Sequence, residues 1–406
     1  MDIILHDFSG HPFQAELSRR IAAEGHVVRH VSARQYVSGK GHLDRIDGDP
    51  QGLSFHEIEL HLPFEKYAPL DRLRWELAYG RAWVRYLRSA PADVVIMCNV
   101  PLIAMLSFVR YAKRADVPWI FWHQDIYSSG LADELRRRLP ARVANMVGHR
   151  LERLEAWCAR HARHVVAIDA GFTAFYQRWG VPPDRVSVIP NWAPLDKIIP
   201  SARGNGRSAD LFDAQADMRM LYAGTLGRKH NPLLLLELLE ATRAGGVGAH
   251  LTVISEGEAA DDLRAAAATN PQLPLRVVPF QPASDLSEIL GSADILVVLL
   301  EPDATTFSIP SKVMSYMAAG RPILGLMPAD NPAAADIEAC GGYVDDPTPE
   351  GAHRAARWLV ELAGDQARMA EIGRRTRAIA EEKFDLDDIS ARFVAVLEDT
   401  RTGARA

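Results

Sequence analysis

The sequence predicts an α/β protein built from two doubly wound domains. Short apolar runs alternate with amphipathic helical segments, which is the pattern of parallel sheets covered by helices. At 406 residues, the chain is also too long for one ordinary hydrophobic core. Polar and irregular residues interrupt the alternation at 198–217. We therefore expect an N-terminal domain over residues 1–197, a linker over 198–217 and a C-terminal domain over 218–383.

The individual elements follow from the same alternation. In the first half, the predicted strands are residues 2–6, 27–31, 93–98, 119–122, 164–168 and 187–190. In the second half, they are residues 218–222, 251–255, 275–278, 293–300, 322–326 and 342–344. The predicted helices include residues 13–24, 71–89, 141–163, 233–244 and 259–268, and a helical region begins at residue 350. Doubly wound domains bind ligands outside the carboxyl ends of their strands, so we expect the two domains to face each other across a binding cleft.

Composition limits the class of protein. Hydrophobic residues make up 48% of the chain and charged residues 24%, as in soluble globular proteins. No apolar stretch reaches the roughly 20 residues of a membrane span, and the N-terminus does not resemble a signal peptide. The three cysteines, Cys98, Cys158 and Cys340, lack metal-ligand spacing. These features predict a cytoplasmic protein without a metal site.

The charge is distributed unevenly along the chain. Up to Leu195 there are 25 basic and 21 acidic residues, whereas the remainder has 21 basic and 31 acidic residues. A basic first half indicates an anionic partner such as a lipid surface. Nothing in the sequence indicates a nucleic-acid partner.

Two loops in the second half predict a site for a diphosphate. Gly224 and Thr225 follow a strand, and Arg228 and Lys229 lead into the next helix. Ser311 is a candidate helix cap, and Lys312 follows it at the start of that helix. Because lysine is unfavourable at the positive end of a helix dipole, we expect an anion to bind there. The alternative is a pair of surface turns with solvated side chains.

Weaker signals lie in three further loops. Gly257 follows a strand, and Gly10 would let a ligand approach the backbone closely. His11 is next to Gly10 and is expected on the acceptor side, as a positioning residue. A purely structural role in the loop is the alternative. His123 and Asp125 come just after a buried strand, where they could bind a sugar hydroxyl. A structural histidine is the alternative for His123.

Residues 71–89 predict a helix with three faces. One face is aliphatic, one is aromatic, and the third is basic; the aromatic face carries Trp75, Tyr79, Trp83 and Tyr86. We expect the aliphatic stripe to face the core and the aromatic and basic flanks to rest on lipid headgroups. Packing of the aromatics between helices is equally compatible with the pattern. The basic residues of 141–163 add to this surface, which predicts peripheral contact with the inner face of the cell membrane.

Taken together, these motifs resemble the retaining glycosyltransferase family 4, in the bacterial polysaccharide-biosynthesis branch with a Pro-Ser-Lys segment. The matching features are the Gly10 loop, the His123 region, residues 188–192, 224–229 and 290–294, and the Ala-Ala-Gly-Arg-Pro segment at 318–322. The resemblance implies the GT-B fold, two Rossmann-like domains, with a C-terminal helix at about 384–400 that rejoins the first domain. It implies transfer of a sugar from a nucleoside-diphosphate sugar to a glycan or lipid-linked acceptor.

The resemblance also implies roles for individual residues. Lys229, with Arg228 and Lys312, would stabilise the leaving diphosphate without a metal or other cofactor, and His123 would lie near the donor sugar. One departure is clear: the family has two glutamates seven residues apart, and Ser315 stands where the second is expected. Ser315 could still bind a ribose hydroxyl. Glu301 or Asp303 could replace the first glutamate.

Three other functions are compatible with parts of this pattern. A nucleotide-sugar epimerase or phosphorylase could share the fold and the phosphate-binding loops. A non-catalytic sugar-binding protein would bind without turnover. A dinucleotide oxidoreductase is less compatible, because the first strand leads into Phe8-Ser-Gly-His instead of a Gly-x-Gly-x-x-Gly turn.

Overall fold

The structure, a computed structural model, describes residues 1–35, 42–62, 69–201, 210–226, 231–270, 272–301 and 310–403. The chain divides into two compact units. The first comprises Met1–Asn191 together with Leu386–Ala406, and the second comprises Trp192–Asp385. Each unit has its own parallel sheet with helices packed on it, which confirms the predicted α/β class.

The first unit contains a seven-stranded parallel sheet within its described residues. The strands are β1 (Asp2–Asp7), β2 (Val27–Ala33), β3 (Leu53–Ile58), β4 (Val94–Cys98), β5 (Trp119–His123), β6 (His164–Ala167) and β7 (Val186–Val188). The helices are α1 (Pro12–Ala23), α2 (Pro69–Ser89), α3 (Leu102–Ala115), α4 (Tyr127–Arg138), α5 (Ala141–His161), α6 (Thr173–Trp179) and α14 (Leu386–Thr402). The strand order is β3-β2-β1-β4-β5-β6-β7, so the direction of winding reverses between β1 and β4.

The second unit repeats this topology with six strands in its described residues. The strands are β8 (Met218–Ala223), β9 (Ala249–Ile254), β10 (Leu275–Val278), β11 (Ile295–Leu299), β12 (Ile323–Leu326) and β13 (Tyr343–Asp345). The helices are α7 (Leu233–Ala244), α8 (Glu258–Thr269), α9 (Leu286–Ser292), α10 (Lys312–Ala318), α11 (Pro332–Ala339), α12 (Pro349–Ala363) and α13 (Gln366–Lys383). The order β10-β9-β8-β11-β12-β13 places the reversal between β8 and β11.

Short 3-10 helices occur at Ala170–Phe172, Pro183–Arg185 and Ala283–Asp285.

Strand β11 shows why the central strands read as continuous apolar runs. Ile295, Val297 and Leu299 pack into one hydrophobic cluster of the second unit. Leu296 and Val298 pack into the other cluster. Successive side chains of a strand point to opposite faces, so both faces of this sheet are covered and every position must be apolar.

The last helix, α14, belongs to the first unit although it follows the second unit in sequence. The Phe393 ring packs edge-on against Trp122, with the ring centroids 4.8 Å apart. The Ser390 hydroxyl donates to Glu24 Oε1 at 3.0 Å. The chain therefore crosses between the units twice, at Asn191–Trp192 and at Asp385–Leu386.

Strand β3 is not among the predicted strands. Among the described strands it pairs with β2 alone, at the edge of the sheet. Its residues His56 and Glu57 are exposed, and only Leu53 and Ile58 are buried. An edge strand that is covered on so little of its surface lacks the apolar run that marks a central strand.

The expected contact of the aromatic face of α2 with lipid headgroups is wrong, and the alternative, packing of the aromatic residues inside the unit, is what the structure shows. Trp75, Tyr79 and Trp83 are at most 1% exposed, whereas Leu73 is 41% exposed. The aromatic rings pack over the end of β1, where Tyr79 Oη lies 2.9 Å from Nε2 of the buried His6. The aromatic face of α2 is therefore part of the core and is not available to lipid headgroups.

The segment predicted as a linker, 198–217, is counted with the second unit. Among its described residues, Ile198, Leu211 and Phe212 are buried in a hydrophobic cluster of that unit. Arg377 Nη1 on α13 also donates to the Ile198 carbonyl at 2.8 Å. The described parts of this segment therefore pack against the second unit and contribute to its hydrophobic cluster.

None of the helices that the structure describes is both long enough and apolar enough to cross a bilayer. The cysteines Cys98, Cys158 and Cys340 are free and buried.

Candidate functional site

The loop after β8 forms at the reversal point of the second sheet, where ligands of doubly wound domains bind. Gly224 adopts a φ of 137°, which side chains rarely tolerate. Its amide donates to the Ile254 carbonyl at 3.0 Å. A Cβ atom on Gly224 would lie 3.2 Å from Cε and 3.3 Å from Nζ of Lys312. The glycine therefore brings the loop backbone against a lysine side chain.

Lys312 is the positive charge of this site. Its Nζ donates to Tyr222 Oη at 2.5 Å and lies 3.8 Å from the centre of the Tyr222 ring. Burial lowers the pKa of Lys312 to about 7. Among the described residues no carboxylate forms an ion pair with it. A partly desolvated ammonium without an acidic partner, next to a glycine loop, is suited to bind an anion.

Two tyrosines hold the lysine and the loop together. The Tyr222 hydroxyl donates to the Thr225 carbonyl at 2.9 Å. The Tyr316 hydroxyl, on α10, bonds both the amide and the carbonyl of Ala223, at 2.9 and 3.1 Å. Tyr316 therefore fixes α10 to the end of β8 and sets the position of Lys312. Sequence reasoning missed both tyrosines; the signal was an aromatic residue in each of the two predicted loop motifs.

The expected cap of α10 is not formed, and this part of the prediction is wrong. Ser311 is exposed and makes no side-chain cap hydrogen bond. Helix α10 has only seven residues, so its dipole contributes little, and the charge of the site is that of Lys312 itself. Ser315, where the family resemblance expects a glutamate, is partly buried, and no hydrogen bond of its hydroxyl to another described residue is recorded.

Arg228, Lys229 and Asp303 lie outside the described residues. Glu301 is described, two residues after the end of β11, and its Oε1 accepts a hydrogen bond from the Asn231 amide at 2.5 Å. Asn231 is the first described residue after Arg228 and Lys229. The hydrogen bond therefore ties Glu301 to Asn231, at the start of the described chain that leads into α7.

Gly257 caps α8 with a φ of 94°, and a Cβ atom there would have nothing within 4 Å. The left-handed backbone explains the glycine without a ligand. The neighbouring Ser255 is buried, and its Oγ accepts a hydrogen bond from the Leu226 amide at 3.0 Å. Ser255 thus fixes the backbone of the Gly224 loop at Leu226.

The loop after β1 is organised by Asp7, a residue that sequence reasoning missed. Its carboxylate accepts hydrogen bonds from the His11 amide at 2.6 Å and from the Ser9 amide at 3.2 Å. Gly10 has a φ of 72°, so the chain turns tightly around this carboxylate. Burial raises the pKa of Asp7 to about 6, although these hydrogen bonds and that of Asn99 oppose the shift.

Asn99 connects this loop to β4 and α4. Its Nδ2 donates to Asp7 Oδ1 at 2.9 Å, and its Oδ1 accepts from Tyr127 Oη at 3.2 Å. Asn99 has a φ of 54°, an uncommon conformation for a residue other than glycine. The chain Asp7–Asn99–Tyr127 thus spans the reversal point of the first sheet and shapes a polar surface there.

His123, predicted as a catalytic residue, is fully buried at the end of β5. Its Nε2 donates to Glu155 Oε1 at 2.9 Å, and its Nδ1 hydrogen-bonds Tyr176 Oη at 3.0 Å. The Glu155 carboxylate also accepts the amides of Tyr127 and Ser128 at the start of α4. Both nitrogens of His123 are occupied inside the unit, so the geometry favours the structural alternative.

His11 and Asp125 are the predicted acceptor-side residues. His11 is partly buried and Asp125 is exposed. Although Asp125 is exposed, neighbouring protein groups displace part of its water and raise its pKa, and the nearby His123 and His11 counteract this shift. Next to Asp125, the side-chain amides of Gln124 and Asn191 bond each other at 3.0 and 2.9 Å, which ties residues 188–192 to β5. Within the described ranges, no cluster of three or more His, Cys, Asp or Glu side chains is suited to hold a metal ion.

Two protein-family models match this chain. The model for a glycosyl transferase 4-like domain matches residues 11–192. The model for glycosyl transferases group 1 matches residues 217–361. The two matches together span most of the chain; the first covers the first sheet from β2 onward, and the second covers the second sheet.

Individual proteins show the same similarity. The probable glycosyltransferase WbjE of Pseudomonas aeruginosa is 23% identical over 246 residues, which span 59% of this chain and 58% of that protein. Sucrose-phosphate synthase from Thermosynechococcus elongatus has a TM-score of 0.72 at 15% identity, over 99% of each chain. Anabaena Alr3699/HepE in complex with UDP has a TM-score of 0.66 at 15% identity, over 98% of this chain and 100% of that one. On the matched models and the shared architecture, this chain belongs to the glycosyltransferases with the GT-B fold.

Proposed function

We propose that this protein transfers a sugar from a nucleoside-diphosphate sugar to a glycan or lipid-linked acceptor in cell-surface polysaccharide biosynthesis. The proposed reaction retains the anomeric configuration and requires no metal. The observation that carries the proposal is the ammonium group of Lys312 beside Gly224, at the reversal point of the second sheet. The UDP bound by Anabaena HepE, which shares the fold, supports a nucleoside diphosphate as the leaving group.

Lys312 would act on the leaving group. As the bond to the sugar breaks, negative charge grows on the diphosphate, and a fixed cation nearby stabilises that charge. The lysine is held in place by Tyr222 and is partly desolvated, so its interaction with a phosphate is stronger than in water. We assign Arg228 and Lys229 to the same task from their sequence positions.

The acceptor would bind at the strand-end edge of the first unit. There His11 and Asp125 offer polar groups on a surface shaped by Asp7 and Asn99. In a retaining transfer, the departing diphosphate can itself take the proton of the acceptor hydroxyl. A dedicated carboxylate base is then unnecessary, and the buried Asp7 keeps its role in loop structure.

The pKa of Lys312 makes the donor-binding proposal testable. With a pKa of about 7, this lysine is only partly charged at neutral pH before the donor binds. A bound diphosphate raises that pKa, so donor binding takes up a proton. Affinity for the donor should therefore fall as pH rises above 7, by up to about tenfold per pH unit.

Calorimetry with UDP-glucose in two buffers of different ionisation enthalpy measures this proton uptake, because the sugar diphosphate itself does not titrate near pH 7. The matched control is Lys312→Arg, since arginine keeps its charge and should bind without proton uptake. Lys312→Met should lose about 10- to 100-fold in kcat/KM, which corresponds to a charged hydrogen bond. Equal proton uptake in wild type and Lys312→Arg would contradict the role given to Lys312.

The reaction itself is tested by product analysis. Purified protein is incubated with UDP-sugars with and without an oligosaccharide acceptor, in the presence of EDTA. We expect nucleoside diphosphate to appear only with the acceptor, and NMR of the product to show the donor's anomeric configuration. Conversion of the donor sugar without an acceptor would favour an epimerase instead.

We also propose peripheral contact with the inner membrane, through the first turns of α5. Val143 and Met146 are 40% and 51% exposed there, next to Leu139 at 39%. Arg142 and Arg150 on the same helix are exposed, and the structure records no ion pair for either with the residues that it describes. Exposed apolar side chains beside arginines suit an anionic bilayer surface. Flotation with phosphatidylglycerol vesicles should retain the wild type, and Val143→Asp with Met146→Asp should abolish it.

A further inference from the structure

A basic groove of about 900 Å³ lies between α2 and α3 of the first unit, and residues 59–62, which follow β3, also line it. Five arginines line it: Arg81, Arg85 and Arg88 on α2, and Arg110 and Arg114 on α3. All five are exposed. We call this feature the arginine groove.

The arginine groove depends on a close approach of the two helices. A Cβ atom on Gly80 would lie only 2.5 Å from the Ala104 carbonyl oxygen, so only glycine lets α2 come this near to α3. The lining also includes the small side chains of Ala78 and Ser107. Small residues between two rows of arginines leave space for a ligand instead of filling it.

The charge of the arginine groove is not neutralised by the described residues. The structure records no ion pair between any of the five arginines and those residues. Arg88 lies over the Tyr111 ring, with Cζ 5.6 Å from the ring centre. Glu59, the acidic residue of the lining, is already paired with Arg34 at 2.9 Å.

The arrangement is unfavourable without an anion. Arg81, Arg85 and Arg88 follow one another at helical spacings of four and three residues, and Arg110 and Arg114 are four apart. Like charges at these spacings repel and destabilise a helix. All five residues are arginines, whose planar guanidinium groups bind carboxylate and phosphate with two parallel hydrogen bonds. An external anion would relieve the repulsion and use this geometry.

The shape distinguishes among anionic partners. The three arginines of α2 extend over about 10 Å, which is longer than one diphosphate. A flat bilayer does not enter a groove with two walls. Proteins that bind single-stranded nucleic acid stack bases on rows of aromatic rings. Here the lining has only the Tyr111 ring, over which Arg88 lies, and the imidazole of His61. An extended oligosaccharide with several acidic groups fits all three features.

We propose that the arginine groove binds an anionic segment of the acceptor glycan, through carboxylate or phosphate groups on successive sugars. Helix α3 begins just after β4, at the strand-end edge, and ends at Ala115 beside Arg114. The arginine groove therefore leads away from the edge that carries Asp7 and Asn99, and it holds a part of the glycan remote from the reacting hydroxyl. That this oligosaccharide is the acceptor rests on the proposed function, whereas its binding in the arginine groove does not.

Two triple variants with equal loss of charge test the proposal. One changes the arginine groove (Arg81→Gln, Arg85→Gln and Arg114→Gln), using arginines for which no contact to a described residue is recorded. The other changes exposed arginines of α5 (Arg142→Gln, Arg150→Gln and Arg153→Gln). Fluorescence anisotropy measures binding of labelled hexagalacturonate, which has one carboxylate per sugar, and of an uncharged dextran hexasaccharide. We expect hexagalacturonate to bind the wild type about tenfold more tightly than dextran. The groove variant should lose that preference and the α5 variant should keep it.

Three results would overturn the proposal. Both variants could lose hexagalacturonate equally, which would indicate general charge attraction. Oligothymidylate could bind more tightly than hexagalacturonate and be lost in the groove variant, which would indicate nucleic acid. The groove variant could lose binding to phosphatidylglycerol vesicles while its binding of hexagalacturonate is unchanged, which would indicate a membrane as the partner. Calorimetry with UDP-glucose is done in parallel: failure of the wild type to bind it would contradict the proposed function and leave the oligosaccharide result intact.

Discussion

The two sheets have the same strand order around their first strands, yet the loops at their reversal points carry opposite charges. After β1, the buried carboxylate of Asp7 is surrounded by amide donors from Ser9, His11 and Asn99. Near the loop after β8, the ammonium of Lys312 lies against Gly224. Among the described side chains, its recorded hydrogen-bond partner is the Tyr222 hydroxyl. The Asp7 carboxylate is stabilised by donors from within the first unit, whereas Lys312 has no recorded acidic partner among the described residues.

The contrast between Asp7 and Lys312 indicates which unit is suited to an anionic substrate. Topology places both loops at equivalent positions, so topology does not choose between them. The buried acid of the first unit repels anions and shapes a surface for neutral hydroxyl groups. In the second unit, Lys312 has no recorded acidic partner among the described residues and is suited to an anion. This contrast supports the proposal that donor and acceptor bind to different units.

Removing a basic residue from each unit should have different effects on donor and acceptor. Lys229→Ala should reduce transfer by about a hundredfold, which is the typical loss for one donor that stabilises a developing anion. His11→Ala, in the corresponding loop of the first unit, should raise the KM for the acceptor and leave donor binding unchanged. Steady-state kinetics with varied donor and acceptor give both results. Loss of donor binding in His11→Ala, or full activity in Lys229→Ala, would contradict the assignment of the two units.

How much of these two loops could be predicted from sequence follows from the range of the contacts. Gly224 and Lys312 were identified because each belongs to a local pattern of strand, small-residue loop and helix. Tyr222, which accepts the hydrogen bond from Lys312, is 90 residues away from it in sequence, and no local pattern shows which residue such a tyrosine contacts. Asp7 was missed because its side-chain partner Asn99 is 92 residues away, and because its nearer partners, Ser9 and His11, bind it through backbone amides that residue types do not reveal.

The fold was more predictable than the site because burial leaves a local trace. Central strands such as β4 and β11 are apolar at every position, so they were recognised, and the edge strand β3 was not. Helix α2 shows the limit of this reasoning. Its aromatic and aliphatic faces are both hydrophobic, and only the position of β1 decides that the aromatic face is buried.

The role of His123 offers the next test of the first unit. If its contacts with Glu155 and Tyr176 are structural, His123→Gln should lower the free energy of unfolding by about 1–3 kcal/mol, because a buried polar group loses a partner. The KM for the donor should change little in the folded variant. Urea unfolding and steady-state kinetics separate the two effects. A large loss of kcat at unchanged stability would instead restore His123 as a catalytic residue.

Acid stability should also differ between the units. Burial lowers the pKa of His6 and His30 in the first unit to about 3. The unfolded chain binds protons at these histidines below about pH 6.5, so the first unit loses stability as pH falls through that value. Asp7 acts in the opposite direction: its folded pKa of about 6 is raised, so its contribution to stability falls as pH rises from about 4 to 6.

Hydrogen exchange of the strand amides at several pH values measures both effects. The first unit should lose protection on acidification. The difference between wild type and Asp7→Asn isolates the aspartate, because the histidines contribute equally to both proteins. Asp7→Asn should remove the opposing contribution and make the loss of protection on acidification steeper. The same pH dependence in wild type and Asp7→Asn would show that Asp7 does not titrate in this range.

The smallest expected effect concerns the start of α10. An N-terminal serine that caps a helix typically contributes about 1 kcal/mol, but Ser311 makes no cap hydrogen bond and its side chain is exposed. Ser311→Ala should therefore change the free energy of unfolding by less than about 0.5 kcal/mol. A matched control is Thr348→Ala, because Thr348 does cap α12 by accepting the Gly351 amide at 3.1 Å. If Ser311→Ala is as destabilising as Thr348→Ala, then α10 depends on a cap, and the tie from Tyr316 to Ala223 is not what holds Lys312 in place.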